Sequence, residues 1–182
     1  MKRTVLIILC VLAFSAITFA QASQEELDKA LVAAPGNLKA AATVIKWKSD
    51  FTYDTLRKGT NRLVCYDRSG QPGQQPFAAE CTSLGNLERV AQSLKIEAMG
   101  DKDKVRAAFE TAEKAGQWAK PEFGSVWYHV SGPSKDQTRT HVTIAVPGAT
   151  EKTMGLPENG QKGGVWIMNA GTSAAHLMTP GE

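Results

Sequence analysis

The amino terminus constrains the fold most, because its pattern separates an export signal from the part of the chain that folds. Met1-Lys2-Arg3 is basic, an almost uninterrupted apolar run follows over 5–19, and Ala20-Gln21-Ala22 has the small residues of a cleavage site. A spanning helix needs roughly 20 apolar residues, so the run is too short for one. The pattern predicts a signal peptide over residues 1–22, cleaved after Ala20 or Ala22, and one exported domain over residues 23–182. An uncleaved amino-terminal anchor is the alternative.

Cleavage also changes the charge of the chain. The 21 lysines and arginines lose Lys2 and Arg3, which leaves 19 basic residues against 18 acidic ones. Charges of both signs are interspersed, with no long run of one sign and no basic stripe interleaved with aromatic residues. Nucleic-acid binding therefore lacks electrostatic support. We expect a periplasmic or extracellular protein with no stable membrane anchor after cleavage.

Two cysteines remain in the mature chain, Cys65 and Cys81. In an oxidising compartment an isolated pair indicates a disulfide, which would close the loop rich in Gly, Pro and Gln over 67–76. Such a bridge stabilises a domain by about 3 kcal/mol. Metal binding is the weaker alternative, because two thiols with no neighbouring histidine do not complete a zinc site.

Hydrophobic periodicity predicts an α+β fold for the mature chain. The expected arrangement is an antiparallel sheet from the N- and C-terminal thirds, packed against a central helical hairpin. Helices are predicted over 23–34, 84–98 and 105–115; strands over 41–47, 52–57 and 62–66 as a meander, over 125–130 and 140–146, and over 164–169 and 174–178 as a final hairpin; and a long loop over 147–162. The charged residues of the two central helices, Arg89 among them, are expected to be solvated.

The three histidines, His129, His141 and His176, all fall on predicted strands of the last third. If these strands are neighbours, the imidazoles could bind zinc or copper, with Met178 as a soft additional ligand. No established metal-binding spacing is present, so packed or hydrogen-bonded histidines are the alternative. Ser173 precedes His176 by three residues, so a hydrolase with a serine nucleophile is a further alternative. Gly171-Thr172-Ser173 does not, however, have the sequence of a nucleophile elbow.

The final hairpin also presents a candidate binding surface. Trp166 and Met168 alternate on one strand, and His176 and Met178 are expected across the hairpin from them. We expect a non-catalytic domain, without a cofactor, that binds a protein partner or a small ligand in the cell envelope or outside the cell. The alternatives are a histidine-based metalloprotein or hydrolase, and a structural component of the envelope.

Two segments carry a resemblance to a known family. Their residues are Leu56-Arg57-Lys58-Gly59-Thr60-Asn61 followed by Cys65 and Cys81, and Gly163-Gly164-Val165-Trp166-Ile167-Met168 followed by Gly171-Thr172, Ala175-His176, Met178 and Pro180. The chain resembles a family of uncharacterised exported bacterial proteins. The resemblance implies a secreted domain with a cysteine pair, and it implies no particular activity. His176 matches the family pattern, whereas the residues before His141 depart from it.

Overall fold

A computed structural model describes residues 23–179, so the predicted signal peptide and the last three residues lie outside the described residues. Within this range eight strands form a single sheet, together with five α-helices, and the α+β class is confirmed. None of these helices has the length and apolar character needed to cross a membrane. The strands are β1 (Thr43–Trp47), β2 (Tyr53–Arg57), β3 (Leu63–Asp67), β4 (Phe77–Ser83), β5 (Val126–Gly132), β6 (Arg139–Ala145), β7 (Trp166–Met168) and β8 (His176–Met178), and the helices are α1 (Gln24–Ala30), α2 (Gly36–Lys39), α3 (Leu87–Glu97), α4 (Lys102–Lys114) and α5 (Glu151–Met154).

The sheet is mixed rather than antiparallel. Its strand order is β2-β1-β3-β4-β5-β6-β8-β7, and β1 and β3 run parallel while the other neighbours are antiparallel. The prediction of a meander for the first three strands is therefore wrong. Strand β2 turns back on the outer side of β1, so β3 pairs with the inner side of β1 instead of continuing from β2.

Strand β4 occupies the middle of the sheet and was missed from the sequence. Five consecutive residues from Ala78 to Thr82 are buried, so the strand lacks the alternation that exposed strands show. Cys65 and Cys81 lie opposite each other on β3 and β4 and form a disulfide, as predicted. The bridge joins two central strands rather than closing a loop at an edge of the sheet.

Helix α1 and the 3₁₀ turn Leu31–Ala33 cover one face of the sheet. A capping box between Ser23 and Glu26 begins the helix, and Ala30 and Leu31 are buried against the strands. The core on this face also contains Val44 and the disulfide, together with other apolar residues of β3, β4 and β5. The packing on this face is therefore mainly apolar.

Helix α3 covers part of the opposite face. Leu87, Val90 and Leu94 pack against Ile45, Val64 and Tyr66, at the spacing of one helix face. Helix α4 contributes no buried residue, so the two central helices do not cover the sheet equally. The predicted loop 147–162 contains α5 and a 3₁₀ turn at Gly160–Lys162.

Candidate functional site

A cleft of about 280 Å³ lies between α3 and the strands β4, β5, β6 and β8. It forms where the sheet extends beyond the cover of α3. Its walls combine charged, aromatic and small side chains: Arg68, Glu80, Arg89, Val90, Ser93, Glu97, Trp118, Pro121, Trp127, His129, Thr143, Ala145, Asn169, Ala174, Ala175 and His176.

The base of the cleft is a network centred on the buried carboxylate of Glu80. The hydroxyl of Tyr66 donates to Glu80 Oε1, while His129 Nδ1 lies 3.3 Å and Arg68 Nη1 3.4 Å from Glu80 Oε2. Arg68 also forms an ion pair with Glu97 through Nη2, and its buried Nε has no hydrogen-bond partner among the described residues. Burial of charge is tolerated here because each carboxylate faces a cation.

The environment shifts the proton affinities of this network. Burial alone raises the pKa of Glu80, but the attraction of His129 and Arg68 and the hydroxyl of Tyr66 outweigh it and lower that pKa below its ordinary value. Burial, reinforced by the Glu80 charge, raises the pKa of Tyr66 well above its usual range. Near neutral pH the pair is therefore a tyrosine hydroxyl that donates to a charged carboxylate.

Arg89 forms a second charged feature, in the wall contributed by α3. Its side chain was predicted to be solvated, but the residue is only 6% exposed. The guanidinium carbon lies 3.4 Å from the centroid of the Trp118 ring, and Nη1 donates to Ala119 O at 2.6 Å and Ser173 Oγ at 3.2 Å. Among the residues at 23–179, no carboxylate lies within ion-pair distance of this guanidinium.

Polar contacts between α3 and the segment after α4 fix this wall. Buried Asn86, just before α3, donates to Thr82 Oγ1 at 2.8 Å and accepts from Glu122 N at 2.8 Å. Trp118 Nε1 donates to Ser93 Oγ at 3.2 Å, and Ala119 N donates to the Gln92 side chain at 2.7 Å. The segment therefore lies along α3 and holds the Trp118 ring against Arg89.

The three histidines lie on the same face of the sheet, on neighbouring strands. His129 is directly opposite His141, with 6.1 Å between ring centroids, and stacks on Trp127 at 6.3 Å. His176 is paired with Ala145, four residues beyond His141, which puts it on that face too. Burial lowers the pKa of His176, and the other two histidines lower it further.

Proximity of these histidines does not produce a metal site in the described part of the chain. No group of three or more His, Cys, Asp or Glu side chains between 23 and 179 is arranged to hold a metal ion. Ser173 is not paired with a histidine either, because its hydroxyl donates to Glu113 and accepts from Arg89. Its backbone N–H also donates to Glu113 Oε1 at 2.6 Å.

The four residues of the predicted binding surface share one face of the final hairpin. Trp166 is opposite Met178, and Met168 is opposite His176. His176 lines the cleft, whereas Met168 is exposed and Trp166 and Met178 are half-buried at the sheet edge, outside the cleft walls. The structure therefore joins only one of the four to the cleft.

The two segments that carry the family resemblance have different surroundings. Arg57 Nη2 donates to the carbonyls of Lys39 and Ala42, both at 2.8 Å. A Cβ atom at Gly59 would lie 2.3 Å from Ala41 O, so that position requires glycine. The first segment therefore shapes the backbone around β1, while Ala175 and His176 of the second line the cleft.

Sequence reasoning missed most of the charged residues of the cleft. Glu80 is the one charged residue of β4 and stands between Ala79 and Cys81, and this interruption of a short apolar run was the available signal. Arg68 and Glu97 lie in a polar loop and at a helix end, where charge is usual. Nothing in the sequence indicates that they meet.

Comparison of this chain with protein-family models, with curated proteins and with solved structures finds no match.

Proposed function

We propose that this chain is an exported, non-catalytic domain that binds a small ligand in the cleft between α3 and the sheet. The observation that carries the proposal is the cleft itself, in which charged, aromatic and small side chains converge on one concave space. Ligand sites in proteins combine an apolar wall with a few fixed polar groups, and this cleft has both. The Glu80 network and the contacts of Asn86 hold these groups in place, which lowers the entropic cost of binding.

Export belongs to the same proposal. The pattern over residues 1–22 is that of a signal peptide, and a buried disulfide between Cys65 and Cys81 is typical of an oxidising compartment. Amino-terminal sequencing of protein purified from the exported fraction should begin at Gln21 or Ser23. Full-length protein confined to the cell interior would contradict export.

Ligand-observed NMR with a library of small polar and aromatic fragments tests the binding function. Ala174→Phe places a ring in the cleft wall and should abolish the signals of bound fragments, while Ala107→Phe, on the exposed face of α4, should leave them unchanged. Absence of any fragment sensitive to Ala174→Phe would overturn the proposal.

A second function, general acid–base catalysis by His129, is favoured by its contact with Glu80. A buried carboxylate that contacts Nδ1 fixes the orientation of an imidazole, as a general acid or base requires. If His129 is catalytic, the protein should turn over an ester, amide or phosphoester substrate, and His129→Gln should abolish that turnover. Equal rates in the two proteins would exclude the role.

A further inference from the structure

We propose that the ligand of the cleft is a small carboxylate, bound in the plane of the Arg89 guanidinium through its Nε and Nη2 atoms. This inference rests on the proposed function of the cleft and adds the chemical class of the ligand.

The hydrogen bonds of Arg89 leave one edge of its guanidinium open. Both bonds to described residues, to Ala119 O and Ser173 Oγ, come from Nη1. Nε and Nη2 donate to no described residue, and neither is among the fully enclosed polar atoms without a partner. Because the ring of Trp118 covers one face of the guanidinium, an acceptor reaches these donors in the guanidinium plane. Two parallel N–H groups on one edge match the two oxygens of a carboxylate.

The charge of Arg89 is also incompletely compensated. Its nearest negative group, Glu113, is reached only through the hydroxyl of Ser173. Burial lowers the pKa of Arg89 to about 10, and the Glu113 charge offsets only part of that effect. A buried cation without a contacting anion carries a desolvation cost, which a bound anion reduces.

The other charges of the cleft favour an anion with a single charge. Arg68 faces two carboxylates, Glu80 and Glu97, so the base of the cleft has no surplus positive charge to offer. Apart from the imidazoles, four ionisable groups line the cleft, these three and Arg89, and their charges sum to zero. A doubly charged phosphate would be repelled by Glu80 and Glu97 more strongly than a carboxylate. The remaining wall contains Val90, Trp118 and Trp127, which suit an apolar or aromatic body.

The experiment compares benzoate with benzamide, which has nearly the same shape and no charge, by titration into the mature protein. Benzoate should bind more tightly than benzamide. Arg89→Gln should lower the affinity for benzoate by about tenfold or more, since a charge-assisted hydrogen bond contributes that much. Arg89→Lys should lower the affinity for benzoate to an intermediate degree, because lysine keeps the charge but not the paired donors. Arg106→Gln, at an exposed arginine of α4, should have no effect.

A measurement on the unaltered protein keeps the inference testable if the Arg89 variants do not fold. In ¹⁵N spectra, benzoate should shift the Nε resonance of Arg89 and benzamide should not. Equal affinity for the two probes, or an unchanged Arg89 resonance at saturating benzoate, overturns the carboxylate inference. If other fragments still bind in a manner sensitive to Ala174→Phe, the proposed function survives; if no fragment binds, both fail.

Discussion

On strand β4, Ala79 and Cys81 pack into the apolar core under α1, whereas their neighbours Glu80 and Thr82 lie on the face that α3 covers. The first face contains a disulfide and packed aliphatic side chains. The second contains a buried ionic network and a cleft. Apolar residues of similar volume would stabilise that second face at least as well as the ion pairs do. The α1 face therefore contributes mainly to stability, while the α3 face contains the charged cleft.

The largest effect is expected from breaking the network of the second face. Glu80→Gln removes one of the two carboxylates that Arg68 contacts, so this buried guanidinium is left with Glu97 as its remaining ion-pair partner. We expect a loss of about 3 to 5 kcal/mol in the free energy of unfolding, measured by urea denaturation. Glu110→Gln, on the exposed side of α4, should change it by less than about 0.5 kcal/mol. Equal stabilities of the two variants would show that the network is not buried as described.

The next effect tests the first face. Replacing both Cys65 and Cys81 by alanine removes a bridge between residues 16 apart in sequence and should cost about 3 kcal/mol of unfolding free energy. Because the disulfide lies on the opposite side of the sheet, binding of fragments to the folded variant should be unaltered. A change in fragment affinity would contradict the division between the faces.

A smaller effect concerns pH and His176. Burial lowers the pKa of this imidazole below its ordinary value of 6.5, so the folded protein favours its neutral form. The stability of a fold that holds His176 neutral is fully present above pH 6.5 and is lost as the pH falls through the lowered pKa of the folded state. Comparison of melting temperatures between pH 7.5 and 5 should show a steeper decline in the native protein than in His176→Asn. An equal decline in melting temperature in the two proteins would contradict the lowered pKa of His176.

The smallest effect is expected from an exposed ion pair on the α1 side. Lys29 Nζ lies 2.8 Å from Asp67 Oδ2, with both side chains more than a third exposed. Water screens such a pair, so Lys29→Gln should cost at most about 1 kcal/mol in urea denaturation. A loss as large as that of Glu80→Gln would erase the contrast between exposed and buried pairs.

Part of the fold was predictable because local sequence patterns specify it. Leu87, Val90 and Leu94 have helical spacing, and they form the face of α3 that packs on the sheet. The alternating strands with Trp127 and His141 and the final hairpin were identified close to their observed limits. Strand β4 was missed because its buried run lacks alternation, and the parallel pairing of β1 with β3 depends on a register that no local pattern encodes.

The candidate site was predictable only in part. His176 was identified from its alternation in the last hairpin, and it lines the cleft. Arg89 was assigned to a solvated surface, because a helix residue facing away from the sheet is normally exposed. The segment at Trp118 and Ala119 covers it, and that contact joins residues about thirty positions apart.

The pairing of Cys65 with Cys81 and the α+β class follow from local sequence features, since an isolated cysteine pair and the helical and strand periodicities each have one dominant structural interpretation. The strand order and the lining of the cleft depend on the tertiary structure. Glu80, Arg68 and Glu97 come from a strand, a loop and a helix, and their ion pairs exist only once β4 lies in the middle of the sheet under α3. Long-range pairing brings these charges together, and the sequence around each of them gives no sign of its partner.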